Sequence, residues 1–106
     1  MNINQTLIKE IIERILSVTN PDRIILFGSS VTGKTTKDSD IDLLILESEP
    51  GDTRKESMRI RQAVRGLGYP FDIIVMDQER FEETKNVIGG IAYPANKYGK
   101  VIYEAA

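Results

Sequence analysis

The apolar positions fall into two kinds of pattern along the chain. Between Asn4 and Thr19, Leu7, Ile8, Ile11, Ile12, Ile15 and Leu16 recur at helical spacing, with Lys9, Glu10, Glu13 and Arg14 on the other side. This predicts an amphipathic helix capped by Asn4 and broken at Asn20, Pro21 and Asp22. Three short runs rich in Ile, Leu, Val and Phe predict buried strands: Arg23 to Phe27 (RIILF), Ile41 to Leu46 (IDLLIL) and Phe71 to Met76 (FDIIVM). Between the last two, Thr53 to Leu67 predicts a charged helix closed by Gly68, with Met58, Ala63, Val64 and Leu67 turned inward. From Gln78 onward the pattern is helical but interrupted by Gly89, Gly90 and Pro94, and KVIYE at 100–104 predicts a last short strand. Ser29 to Ser39 holds one apolar residue, Val31, and predicts a loop with room for one helical turn.

The order of elements constrains the topology. A helix joins the second and third strands, so these are expected to be parallel neighbours with a right-handed crossover. The connection between the first and second strands has no room for a full crossover helix, so that pair is expected to be antiparallel. The end of the first strand and the starts of the second and third then share one edge of the sheet. Gly28, Ser29, Asp40, Asp42 and Asp72 all map there. The expected class is α/β, a small mixed sheet flanked by helices, in a single domain over residues 1–106.

Composition narrows the chemistry. The chain is 41% hydrophobic and 28% charged, in the ordinary globular range. It has no cysteine and no histidine, which removes thiol nucleophiles, disulfides, an imidazole base and the usual zinc sites. Catalysis is left to carboxylates, lysine, hydroxyls or a hard metal bound through oxygen. A net charge of −2 gives no global attraction to nucleic acid or membrane. No secretory signal or apolar run of membrane-spanning length is visible, so a cytoplasmic location is expected.

Asp40 and Asp42 lie two apart at the start of a strand, so both side chains point to one face. Asp72 is second in the neighbouring parallel strand. A lone aspartate beside a strand is usually a turn or cap residue, the expected role of Asp38 and Asp77. Asp42 and Asp72 differ because each sits just inside an otherwise apolar strand, where aspartate is disfavoured and an unpaired charge is costly. Three such carboxylates repel unless a cation offsets them, and an all-oxygen set selects magnesium or manganese. Two ions of that kind serve in-line displacement at phosphorus. Gly28-Ser29 precedes the cluster, where backbone N–H groups and a hydroxyl suit phosphate oxygens.

Gly28 to Thr35 (GSSVTGKT) also fits the P-loop pattern letter for letter. That motif needs a helix starting at its lysine, and a strand follows Thr35 after only five residues, so the match is read as a decoy.

The stretch LFGSSVTGKTTKDSDIDLLIL resembles the signature of the polymerase-β-type nucleotidyltransferases: Gly-Ser, ten residues, Asp-x-Asp, then a third aspartate on a later strand. Small size and the ending YGKVIYE are similar to the minimal nucleotidyltransferases, the MNT group. The resemblance runs from about Arg23 to Glu104. It implies a palm-like fold and magnesium-dependent transfer of a nucleotide, AMP from ATP, to a hydroxyl. By this resemblance Asp40, Asp42 and Asp72 would be the catalytic and metal-holding residues. Gly28, Ser29, Ser30 and Lys34 would hold the triphosphate. The family also implies a helical HEPN-type partner, as in a toxin–antitoxin pair; the small size of the domain in turn predicts that a partner protein or a second copy supplies the acceptor or the missing wall of the cleft. Many relatives carry arginines where this chain has Ser30 and Thr32, with Lys34 and Lys37 as substitute charges. The alternative is therefore a binding module with a weakened nucleotide site that neutralises a helical partner.

The middle helix is locally basic through Arg54, Lys55, Arg59, Arg61 and Arg65. A solvated face is the usual role of such a run, and contact with triphosphate or an acidic partner is the functional alternative. Ile88, Ile91, Tyr93 and Tyr98 are equally compatible with core packing and with an exposed apolar surface.

Overall fold

In the computed structural model, which describes residues 4–28, 31 and 40–106, the strands are β1 (Arg23–Phe27), β2 (Ile41–Glu47), β3 (Phe71–Asp77) and β4 (Lys100–Glu104). The helices among the described residues are α1 (Gln5–Leu16), α2 (Thr53–Ala63), α3 (Gln78–Thr84) and α4 (Ala92–Tyr98). The strands form one mixed sheet in the order β3-β2-β1-β4. β2 and β3 are parallel, β1 and β2 antiparallel, and β4 is antiparallel to β1 with an irregularity between Ile24 and Ile25.

Strand alternation divides the apolar residues between two faces. On one face Ile24, Leu26, Ile41, Leu43, Ile45, Ile73 and Val75 pack with Ile11 and Ile15 of α1 and with Ile60 and Val64 beside α2. On the other, Ile25, Phe27, Leu44 and Leu46 pack with Phe81 of α3 and with Ala92 and Ala95 of α4. Burial on both sides explains why the strands read as continuous apolar runs.

Local chemistry sets the ends of the elements. The Asn4 side chain accepts from the Leu7 N–H at 2.8 Å, so α1 starts where the sequence places it. α2 begins after Asp52, which accepts from the Arg54 and Lys55 N–H groups. It stops at Ala63, four residues short of expectation, because Val64 leaves helical geometry and Gly66 adopts φ 95°. The inward stripe of α2 also differs. Met58 is 59% exposed, whereas Ile60 is fully buried. Helical spacing pairs Ile60 with Val64 and leaves Met58, two residues earlier, on the far side. Asp77 caps α3 through the Glu79 N–H, the role expected of it. Pro94 sits in the first turn of α4, where its missing N–H costs no helical hydrogen bond. No helix among the described residues is long and apolar enough to cross a membrane.

Candidate functional site

Asp42 and Asp72 are the second residues of β2 and β3, and the ladder pairs them rung to rung. Adjacent strands lie ~4.8 Å apart, so the backbone itself holds the two carboxylates side by side. Their parity with Leu44, Leu46, Ile74 and Met76 puts both on the sheet face that carries α3 and α4.

Gly28 closes the other side. It follows Phe27, which pairs with Asp42 across the antiparallel ladder. Its φ of 75° lies in the left-handed region. A Cβ at this position would overlap Asp42 Oδ2 and stand 3.1 Å from Asp42 Cγ. Glycine thus serves twice, in the turn and in the backbone's close approach to the carboxylate. The Val31 N–H donates to the Gly28 carbonyl at 3.1 Å.

The Asp42 carboxyl has a raised pKa. Burial is the largest cause, followed by the charges of Asp72 and then Asp40. Both Asp72 and Asp40 thus act on Asp42. Their convergence is incomplete, however. Among the described residues no group of three or more acidic, histidine or cysteine side chains is arranged to hold a metal ion. Asp42 and Asp72 are fixed by paired strands, whereas Asp40 precedes β2 and is exposed. The donor set still suits a hard cation: it is all carboxylate oxygen, and Asp42 is burdened by negative neighbours. Ser29, Ser30 and Lys34, expected at the triphosphate, lie outside the described residues, as do Thr32, Gly33, Lys37 and Asp38.

Two alternatives can be weighed on this geometry. The antiparallel pairing of β1 with β2 is not what a crossover helix starting at Lys34 would give, so the P-loop match remains a decoy. α2 buries Ile60 in the core on the opposite sheet face from Asp42 and Asp72. Its basic residues Arg54, Lys55, Arg59 and Arg61, and Arg65 just beyond its end, are exposed. Near the C-terminus the four apolar residues divide, with Tyr93 half-buried. Ile88 and Tyr98 are exposed, whereas Ile91 packs against the core.

One polar cluster escaped the sequence reading. Glu47 ends β2 at the edge opposite Asp42 and is buried. Its signal was its parity with Ile41, Leu43 and Ile45, which places residue 47 inward; ending the strand at Leu46 hid it.

The mixed β3-β2-β1-β4 sheet, with paired aspartates beside a glycine turn, is the architecture of a nucleotidyltransferase palm. Residues 7–92 match the family model described as nucleotidyltransferase domain, and the chain belongs to that family. Solved structures with the same fold include a candidate nucleotidyltransferase from Sulfolobus solfataricus. It is 24% identical, with a TM-score of 0.62, over 93% of this chain and 78% of that one. A toxin–antitoxin complex with AMP-PNP is 20% identical, with a TM-score of 0.65, over 92% of this chain and 73% of that one. A double Asp-to-Glu mutant of the toxin–antitoxin MntA-HpeT is 18% identical, with a TM-score of 0.70, over 97% of this chain and 75% of that one. A search of curated proteins gives no match.

Proposed function

We propose that this protein is a magnesium-dependent nucleotidyltransferase that transfers AMP from ATP to a hydroxyl on a helical, HEPN-type partner protein, as the antitoxin of a toxin–antitoxin pair. The observation that carries the reading is the rung formed by Asp42 and Asp72 against Gly28, in a chain of this family. The resemblance of the fold to toxin–antitoxin proteins, one of them with AMP-PNP, supports the partner and the nucleotide.

In this reading Asp40, Asp42 and Asp72 would hold the magnesium ions. Bound there, the ions would offset the carboxylate charge and the charge that develops on the triphosphate. Gly28 lets the backbone approach the triphosphate tail, with Ser29, Ser30 and Lys34 as its further contacts. Asp72, exposed at the strand start, accepts the proton of the attacking hydroxyl. The hydroxyl oxygen bonds to the α-phosphorus, the bond to the β-phosphate bridge breaks, and pyrophosphate leaves.

Incubation with labelled ATP, magnesium and the partner tests this. Label should pass to the partner and be lost in Asp40→Ala and Asp42→Ala. A second reading, a module that only binds the partner, draws on Ser30 and Thr32 standing at arginine positions. Partner binding without label transfer, unchanged in both variants, would establish it and overturn the enzyme.

A further inference from the structure

Glu47 lies at the far edge of β2 from the aspartate rung and is only 5% exposed. The Thr19 hydroxyl, in the α1–β1 connection, is 2.9 Å from Glu47 Oε2 and 3.0 Å from Glu56 Oε2 in the first turn of α2. A hydroxyl has one proton to donate. It fully serves one carboxylate, and the second contact becomes a hydrogen bond of its own only when that carboxyl carries a proton and donates to Oγ1. Two ionised carboxylates around one hydroxyl, one of them buried, would leave an acceptor unserved and like charges in contact.

We infer that Glu47, Thr19 and Glu56 form a proton-sharing clasp that fastens α2 to the sheet and loosens when its shared proton is lost. The charges around it do not remove the need for that proton. From α2, Arg59 reaches Glu56 Oε1 at 3.5 Å but is itself largely exposed. From β3, Asp77 is the register partner of Glu47, yet its carboxylate caps the Glu79 N–H. From the α1–β1 connection, Asp22 accepts from the Ser48 hydroxyl. On β1, Arg23 is turned to Glu82 and Glu104.

The Glu47 pKa agrees with the geometry. It is pushed up to about 7, first by burial and then by hydrogen bonding with Glu56, against a pull downward from Thr19. Proton affinity in the fold is thus raised above that of an ordinary glutamate. A carboxyl whose pKa is higher in the folded state binds its proton preferentially there. Stability is therefore full below the unfolded value and falls as pH rises from about 4.5 through about 7.

The test follows melting temperature with pH in the wild type, Glu47→Gln and Asp42→Asn, together with carbon-13 NMR of labelled glutamate carboxyls. The wild-type melting temperature is expected to fall across neutrality. The fall persists in Asp42→Asn and vanishes in Glu47→Gln, whose amide donates permanently. One glutamate resonance titrates near neutral pH and is missing from Glu47→Gln. A fall across neutrality that survives both in Glu47→Gln and in Glu47→Gln combined with Asp42→Asn overturns the clasp. So do glutamates that all titrate in the ordinary range in the wild-type protein, a result that needs no variant to fold.

Discussion

Replacing Gly28 by alanine isolates the contact on which the site is built. An L-residue held in the left-handed region costs ~1–2 kcal/mol. The methyl group also overlaps Asp42 Oδ2, so the carboxylate must leave its rotamer, at ~0.5–1.5 kcal/mol. Reduced freedom of the unfolded chain offsets about 0.4–1 kcal/mol. The net loss is about 0.5–3 kcal/mol, and each kcal/mol lowers the melting temperature of a domain this size by roughly 4–8 °C. Gly51 provides the control. Its φ is 70°, nearly that of Gly28, but a Cβ there meets nothing within 4 Å. Gly51→Ala should show the backbone cost alone, and Gly28→Ala should exceed it by the displacement of Asp42. Urea denaturation of both variants, repeated in an Asp42→Ala background, completes the cycle. In that background the two glycine substitutions should cost the same. The reasoning is refuted if Gly28→Ala costs no more than Gly51→Ala in the wild type, or if its excess survives without the Asp42 carboxylate.

Two further outcomes follow from named contacts. Asp42 has a raised pKa in the fold, so its ionisation lowers stability as pH rises through that value. Asp42→Asn should therefore melt higher than wild type at neutral pH, with the gap closing in acid, while label transfer is abolished; melting curves at two pH values check this. Asp52→Ala removes the cap of α2 and should cost ~1 kcal/mol in denaturant titration, yet leave transfer intact because α2 lies behind the sheet from the rung.

Much of this architecture was legible before the coordinates. The RIILF run marks β1 at its observed bounds because Asp22 and Gly28 punctuate it. The Asn4 cap, the parallel and antiparallel pairings and the last strand follow from turn chemistry and connection length. Failures arose where tertiary geometry overrode local pattern. Gly68 looked like the stop of α2, but the chain leaves the helix at Val64. Met58 looked apolar enough for the core, but the stripe is set by Ile60 and Val64. For the site, period two predicts that Asp40 and Asp42 share a face, and the second place of Asp72 in the parallel neighbour predicts that it stands beside Asp42, as the ladder pairs them. It could not foretell how near Asp40 would stand, because that residue precedes the ladder. The Glu47 clasp joins three segments distant in sequence, and no local spacing announces it.

Because the two acids occupy one rung, the gap between them is a property of peptide dimensions and not of the packing around it. Helices may be re-cut, loops lengthened and surface residues exchanged, and the separation persists as long as β2 and β3 keep their alignment. A slip of a single residue between those strands would do what no surface change can: it would throw one acid to the opposite side of the sheet and divide the pair.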